Sequence, residues 1–219
     1  WHADGLHDMH RGLPVLTTMY NPMKWQTRGG GQTLFTSGVK ALERLETDLI
    51  DELRECVVAY MRSPNDEYPD ESRRINSGPS YMTDDGTRRV GFGADPHDAS
   101  AGLRDFTLTH EHAIGGGRHP CIYRHPVTGQ ESLYVSPCKS VYLLDATSGE
   151  IRHDIEETVE LLSKALWPSA KKGVRYEHHW KEGDFVAWLN TLTLHSATDP
   201  VDIEGSRLMH RVRLSTPHC

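Results

Sequence analysis

Residues 37 to 55 place Val39, Leu42, Leu45, Leu49 and Leu53 among acids and bases. Spacings of three and four predict one amphipathic helix with a buried stripe and no chemistry of its own. A second helix is predicted over Asp154 to Trp167. Asp154 stands at the cap, Glu157 at the third position of a capping box, and Ile155, Val159, Leu162 and Leu166 form the buried stripe. Pro168 is expected to end it. Elsewhere the period shortens to two. Strands are predicted from Gln32, over Cys56 to Met61 and over Ser140 to Leu144, and Val174 to Trp180 leads into the strand that carries His195. The stretch HPCIYRHPVTGQESLYV reads as a hairpin turning at PVTGQ. After a turn at Glu182-Gly183-Asp184, an apolar run covers Phe185 to Leu189. Thr191, Thr193 and His195 then share a face opposite Leu192 and Leu194, as in a half-buried strand presenting His195 to an interior.

Two stretches hold no period. Residues 5 to 32 read as a loop region. Residues 62 to 106, rich in Pro, Gly, Ser and Asp, read as a lid or a surface insertion, because loops of that length in a compact domain are functional or disordered. Short strands with two helical segments predict a mainly β fold with flanking helices, an antiparallel sandwich.

Composition narrows the classes. A chain of 219 residues is read as a single domain over 1–219, long enough for a sizeable core. The net charge of −7 and a pI of about 6.0 leave no basic footprint for nucleic acid. No apolar run is long enough for a membrane-spanning helix. Cys56, Cys121, Cys138 and Cys219 show no metal-finger spacing and are read as reduced thiols of a cytoplasmic protein. A homo-oligomer is among the states left open.

The candidate chemistry sits at the two ends. His2 and Asp4 are one residue apart, so on extended backbone both point to one face. One imidazole and one carboxylate are two parts of a 2-His-1-carboxylate site for Fe(II), and His195 offers the third. With 14 His and 31 acidic residues, a His-x-Asp pair also arises by chance. In RLMHRVRL, Arg207, Met209, Arg211 and Arg213 alternate with Leu208, His210, Val212 and Leu214. Arginines in such a row are either the solvated face of an edge strand or planar donors for a carboxylate ligand. His7 and His10 are read as loop or substrate-pocket residues. Gly29 to Gly31 is not a phosphate loop, since no Lys-Ser/Thr follows it.

Five motifs in order, WHAD at the start, GGGQTLFTS, HPVTGQESLYV, GDFVAWLNTLTLHSA and RLMHRVRL, resemble the TauD/TfdA (taurine dioxygenase) family of Fe(II)- and 2-oxoglutarate-dependent oxygenases. The resemblance implies a double-stranded β-helix, or jelly roll. It implies His2, Asp4 and His195 as iron ligands, Arg207 as partner of the far carboxylate of 2-oxoglutarate, Thr33 as the hydroxyl assisting it, and Arg211 near the 2-oxo acid and the substrate. Arg213 takes no role from it. Fe(II), 2-oxoglutarate and O2 are the implied cofactors. A small organic molecule, with an anionic one as a candidate, is the implied substrate. Because Asp4 is kept where halogenating relatives carry a small residue, hydroxylation is expected, with desaturation or ring formation as alternatives. Relatives carry roughly a hundred residues ahead of the metal motif, a small domain's worth of chain, so the chain reads as lacking that N-terminal part. Two other readings stay open: a jelly-roll binding protein with a structural metal or none, and a non-oxidative metalloenzyme of the cupin type.

Overall fold

The computed structural model describes residues 1–6, 13–60, 110–137, 140–198 and 202–215, with the backbone of two short strands at 80–82 and 88–90. His7, His10, Cys138, Cys219 and most of the 62–106 segment lie outside the described residues.

In chain order the elements are β1 (Pro14–Tyr20), β2 (Trp25–Gln26), β3 (Thr33–Ser37), α1 (Gly38–Leu42), α2 (Thr47–Arg54), β4 (Cys56–Tyr60), β5 (Ser80–Met82) and β6 (Arg88–Val90). A 3-10 turn at His110–Ala113 follows, then β7 (Arg118–Pro120), β8 (Ile122–Arg124), β9 (Glu131–Leu133), β10 (Ser140–Asp145) and β11 (Ile151–His153). The chain continues with α3 (Ile155–Ala170), β12 (Tyr176–His178), β13 (Phe185–Leu189), β14 (Thr193–Ala197), β15 (Glu204–Gly205) and β16 (His210–Ser215).

Two antiparallel three-stranded sheets, ordered β12-β3-β14 and β13-β1-β16, frame the site. In the first, His195 lies opposite Phe35, and Leu194 opposite Thr36. One face therefore carries Phe35 and His195, while the other turns Thr36 towards α3, where its hydroxyl donates to the Ser169 carbonyl at 2.7 Å. In the second sheet Thr17 lies opposite Trp188 and Arg213, and Met19 opposite Val186 and Arg211. Trp188 meets Phe35 edge-on at 5.2 Å, which sets the two inner faces against each other. The outer face of β13-β1-β16 is apolar instead: Tyr20, Phe185, Leu189, Val212 and Leu214 are all exposed. A third sheet, β11-β10-β4-β7, packs with the helices around a core of Leu53, Val58, Tyr60, Leu133, Leu143 and Leu162.

Several expectations need correction. Residues 14–20, read as loop, form β1, the central strand of its sheet. The chain there, PVLTTMY, is β-branched and aromatic rather than alternating, because both of its faces are partly covered. The helix predicted over 37–55 is two helices. The Ser37 hydroxyl caps α1 by accepting the Lys40 N–H. Arg44 and Leu45 then bond back to Ala41 and Leu42 with three-residue spacing, a tightened turn that ends the first helix. Extended Glu46 starts the second. The apolar stripe continues across this break, so periodicity alone does not show it. Pro168 lies inside α3, which runs on to Ala170. Pro168 forfeits one backbone bond to the carbonyl four residues back, but the helix ends two residues later, and the Lys171 N–H still reaches the Trp167 carbonyl at 3.2 Å. The Asp154–Glu157 capping box is formed as expected. So is the hairpin: β8 pairs with β9, and the loop closes through the His125 N–H to the Gln130 carbonyl at 2.8 Å. The arginine-bearing strand β16 begins at His210, not Arg207. Arg207 lies between β15 and β16.

Candidate metal centre

Residues 1 to 6 belong to no named strand, yet the main chain fixes them. His2 and His195 exchange both backbone hydrogen bonds at 2.9 Å, an isolated antiparallel bridge on the edge of β14. Two residues on, the Asp4 N–H donates to Asn190 Oδ1 at 2.8 Å, and Asn190 Nδ2 donates back to the Asp4 carbonyl at 3.0 Å. Alternate residues are thus held in extended register, and their side chains share a face. Gly5 then turns the chain in the left-handed region, at φ +77°, over the ring of Pro14.

The side chains converge. Asp4 Oδ1 lies 3.8 Å from His2 Nε2 and 3.8 Å from His195 Nε2. The three ligand atoms lie within 4.8 Å of one another, and among the described residues this is the one such group of His, Cys, Asp and Glu side chains. The two imidazole rings are tilted, with centroids 4.2 Å apart. A divalent ion held at about 2.0–2.2 Å by ligands at right angles separates neighbouring ligand atoms by about 2.8–3.1 Å, so small side-chain rotations that draw these atoms together would let them share one ion. Two imidazoles and a carboxylate on one side form a facial donor set that would leave positions open for other ligands.

Electrostatics agree with the geometry. His195 is 4% exposed and packed between Phe35 and Trp188. Burial pulls its imidazole down to about 4, against the opposing pull of the Asp4 carboxylate, so its lone pair is free at neutral pH. Asp4 is equally buried, and a buried carboxylate needs partners. Arg211 Nη1 supplies one at 3.3 Å from Oδ1, and the Thr17 hydroxyl donates to Oδ2 at 3.1 Å.

The other expected residues have their own surroundings. Thr33 is buried in β3 and its hydroxyl oxygen accepts the Trp180 indole N–H at 2.9 Å. The Arg207 guanidinium lies over the Trp25 ring, 5.0 Å from its centroid, and donates to the Gly31 carbonyl at 3.4 Å. Trp25 and Trp180 both line a cavity of about 280 Å³, together with Gln32 and His179. Arg213 shares the inner face of β16 with Arg211. Thr17, Trp25, Trp180 and Asn190 were not singled out from sequence. The signal for Thr17 was the β-branched run LTTMY. Asn190 stood inside a motif already quoted, five residues before His195.

Residues 1–213 match the Taurine catabolism dioxygenase TauD, TfdA family. The chain belongs to that family. Its members use Fe(II), 2-oxoglutarate and O2, and the donor set of His2, Asp4 and His195 has the composition that such an iron requires. The chain is 30% identical over 185 residues to the alpha-ketoglutarate-dependent xanthine dioxygenase of Neurospora crassa, covering 84% of this chain and 40% of that protein. It is 27% identical over 187 residues to pentalenolactone F synthase of Streptomyces avermitilis, covering 84% of this chain and 51% of the relative. The chain therefore spans about half, or less, of the length of these relatives. Among solved structures, AAD-2 in complex with Mn(II) and N-oxalylglycine aligns with a TM-score of 0.66 at 19% identity, covering all of this chain and 69% of that one. A taurine dioxygenase from Burkholderia xenovorans aligns at 0.59 and 19% identity, over 98% of this chain and 57% of that one. The fold is the jelly roll of these proteins, mainly β with few helices. Among the described residues no helix is long and apolar enough to cross a membrane.

Proposed function

We propose that this chain carries the catalytic domain of an Fe(II)- and 2-oxoglutarate-dependent dioxygenase that oxidises a C–H bond of a small organic molecule. The observation behind it is the convergence of two imidazoles and one carboxylate, pinned by backbone pairing, on one buried face.

His2, Asp4 and His195 would hold the iron. Bound there, iron couples oxidative decarboxylation of 2-oxoglutarate, to succinate and CO2, to oxidation of the substrate. The chain's own residues place the reactants. Arg207 offers two parallel N–H donors for the far carboxylate of 2-oxoglutarate. The Trp25 ring, 5.0 Å away, gives the guanidinium a face to rest on. Thr33 has its acceptor side taken by the Trp180 N–H, so its own proton is left to donate to the same carboxylate. Arg211 stands on the inner face of β16 with its side chain about half exposed. That position suits the near carboxylate or an anionic group of the substrate, which favours a small anionic substrate class. With the carboxylate of Asp4 among the ligands, hydroxylation is the favoured outcome. A cytoplasmic location is part of the same reading, supported by free, buried Cys56 and Cys121.

The test is a succinate-release screen with Fe(II), ascorbate and 2-oxoglutarate. Small sulfonates, small carboxylates and xanthine form the substrate panel, the last because the Neurospora relative is named for it. Expected is iron- and 2-oxoglutarate-dependent succinate that rises with one substrate class and is absent in Asp4→Ala. Succinate release that persists in Asp4→Ala, or a folded protein that takes up neither metal nor 2-oxoglutarate, rules the reading out.

A further inference from the structure

The Asp4 carboxylate is held in a particular way. Oδ1 faces both imidazoles, each at 3.8 Å, and accepts from Arg211 Nη1 at 3.3 Å. Oδ2 receives the Thr17 hydroxyl from the central strand of the opposite sheet, at 3.1 Å. Thr17 is fully buried, and so is Asn190. The planar amide of Asn190 pairs with the Asp4 backbone as a neighbouring strand would, and spends its second N–H on the Pro14 carbonyl at 3.1 Å. Asn190 also donates its own N–H to the Val15 carbonyl at 2.8 Å. One side chain therefore ties the Asp4 segment to the start of β1, the strand that carries Thr17.

We propose that Thr17 and Asn190 are positioning residues that present Asp4 to the metal through one oxygen. This rests on the triad reading of His2, Asp4 and His195. Asn190 sets where the Asp4 main chain lies. Thr17 sets how the carboxylate is rotated, because a carboxylate that turned to offer both oxygens to one ion would lose the hydroxyl's bond to Oδ2. With Asp4 offering one oxygen, His2, Asp4 and His195 would hold the ion and leave room on it for other ligands, as a 2-oxo acid and O2 would require. A second bond from Asp4 would take up part of that room while leaving the metal bound. Groups that hold a metal's ligands commonly tune affinity 10–100-fold. Here the hydroxyl is also assigned a role in the number of open positions.

The test uses Mn(II) as the probe, with its dissociation constant from EPR titration and its count of exchangeable waters from water-proton relaxation. In Thr17→Val the dissociation constant should rise about tenfold, and the bound ion should lose about one exchangeable water as Oδ2 takes its place. Thr17→Ser should restore both, which a merely space-filling role for the methyl group would not produce. Thr17→Ala, which adds no methyl in place of the hydroxyl, serves as the second variant, with thermal melts confirming the fold. Asn190→Ala should weaken Mn(II) about tenfold or more with the water count unchanged, since Oδ2 keeps its partner. Unchanged affinity and water count in both Thr17→Val and Thr17→Ala overturn the assignment of Thr17. Weaker binding with the full water count overturns the single-oxygen role. If the wild-type protein takes up no Mn(II), the triad reading falls, and this inference falls with it.

Discussion

Gly117 has no place in the site, yet replacing it should damage the metal centre. A Cβ built on Gly117 would lie 2.0 Å from the Leu6 carbonyl oxygen and 3.1 Å from His119 Nε2. Real Cβ atoms essentially never approach closer than 3.0 Å, so Gly117→Ala must push the two backbones apart by about 1 Å. Neither has an easy route. The Leu6 side chain is fully buried, and the Gly117 carbonyl accepts the Tyr60 N–H at 2.9 Å. Overpacking typically costs about 1–3 kcal/mol, and a backbone-to-backbone clash belongs at the upper end. In a domain of this size, about 3 kcal/mol lowers the melting temperature by about 6–12 °C. Leu6 is two residues from Asp4, and metal-ligand distances tolerate only about 0.2 Å, so Mn(II) affinity should fall at least about tenfold. Differential scanning fluorimetry and Mn(II) titration read the two effects. Gly29→Ala, where a Cβ meets nothing within 4 Å, is the control and should change neither. A Gly117→Ala protein that melts with wild type and binds Mn(II) equally well would refute the packing argument.

Two further outcomes follow from the site and the core. Arg207→Ala should raise the apparent KM for 2-oxoglutarate about 10–150-fold, the equivalent of losing a charge-assisted bond of about 1.5–3 kcal/mol. Arg207→Lys should raise it less, and Fe(II) affinity should stay unchanged in both; a wild-type KM in Arg207→Ala would move the anchor to Arg211. Burial holds the His119 imidazole below its ordinary value of 6.5, with the Leu6 backbone opposing, so below that pH the unfolded chain takes up a proton that the folded one refuses. Stability should therefore fall as pH drops below about 6.5, and His119→Gln should flatten that slope in urea melts between about pH 7.5 and 5.5; parallel slopes for the two proteins would exclude the role.

The three converging residues were legible as candidates because their chemistry is carried by residue type and spacing. A His-x-Asp pair and a His on a predicted strand face can be read from sequence, and His2, Asp4 and His195 come within 4.8 Å of one another in the fold. What holds them was not legible. Thr17 looks like any strand threonine until β1 is laid across the Asp4 segment, a pairing set by the tertiary fold. Asn190 sits in a turn, where asparagine is ordinary, and only the fold shows its amide standing in for a peptide. The same limit explains the split helix. Leu42, Leu45 and Leu49 keep facing the core through a change of direction, so a periodicity count sees one element. The inward arginines of β16 beside an exposed Val212 and Leu214 also invert the usual reading of a strand, in which the apolar side faces the core.

The bridge between His2 and His195 has a consequence for how the chain is connected. Asp4 and Asn190 are 186 residues apart in sequence, so the centre closes a loop spanning most of the polypeptide. Bringing the ends of such a loop together costs about 4–5 kcal/mol in chain entropy, from the logarithmic dependence on loop length. A divalent ion gripped by both ends, as proposed, would act as a removable cross-link, and cross-links that close long loops gain the most. Contacts of such high sequence separation also form slowly. Metal loading should therefore slow unfolding by pinning the first six residues to β14, where a chelator would let that end detach while the core of β4, β10 and α3 stays folded.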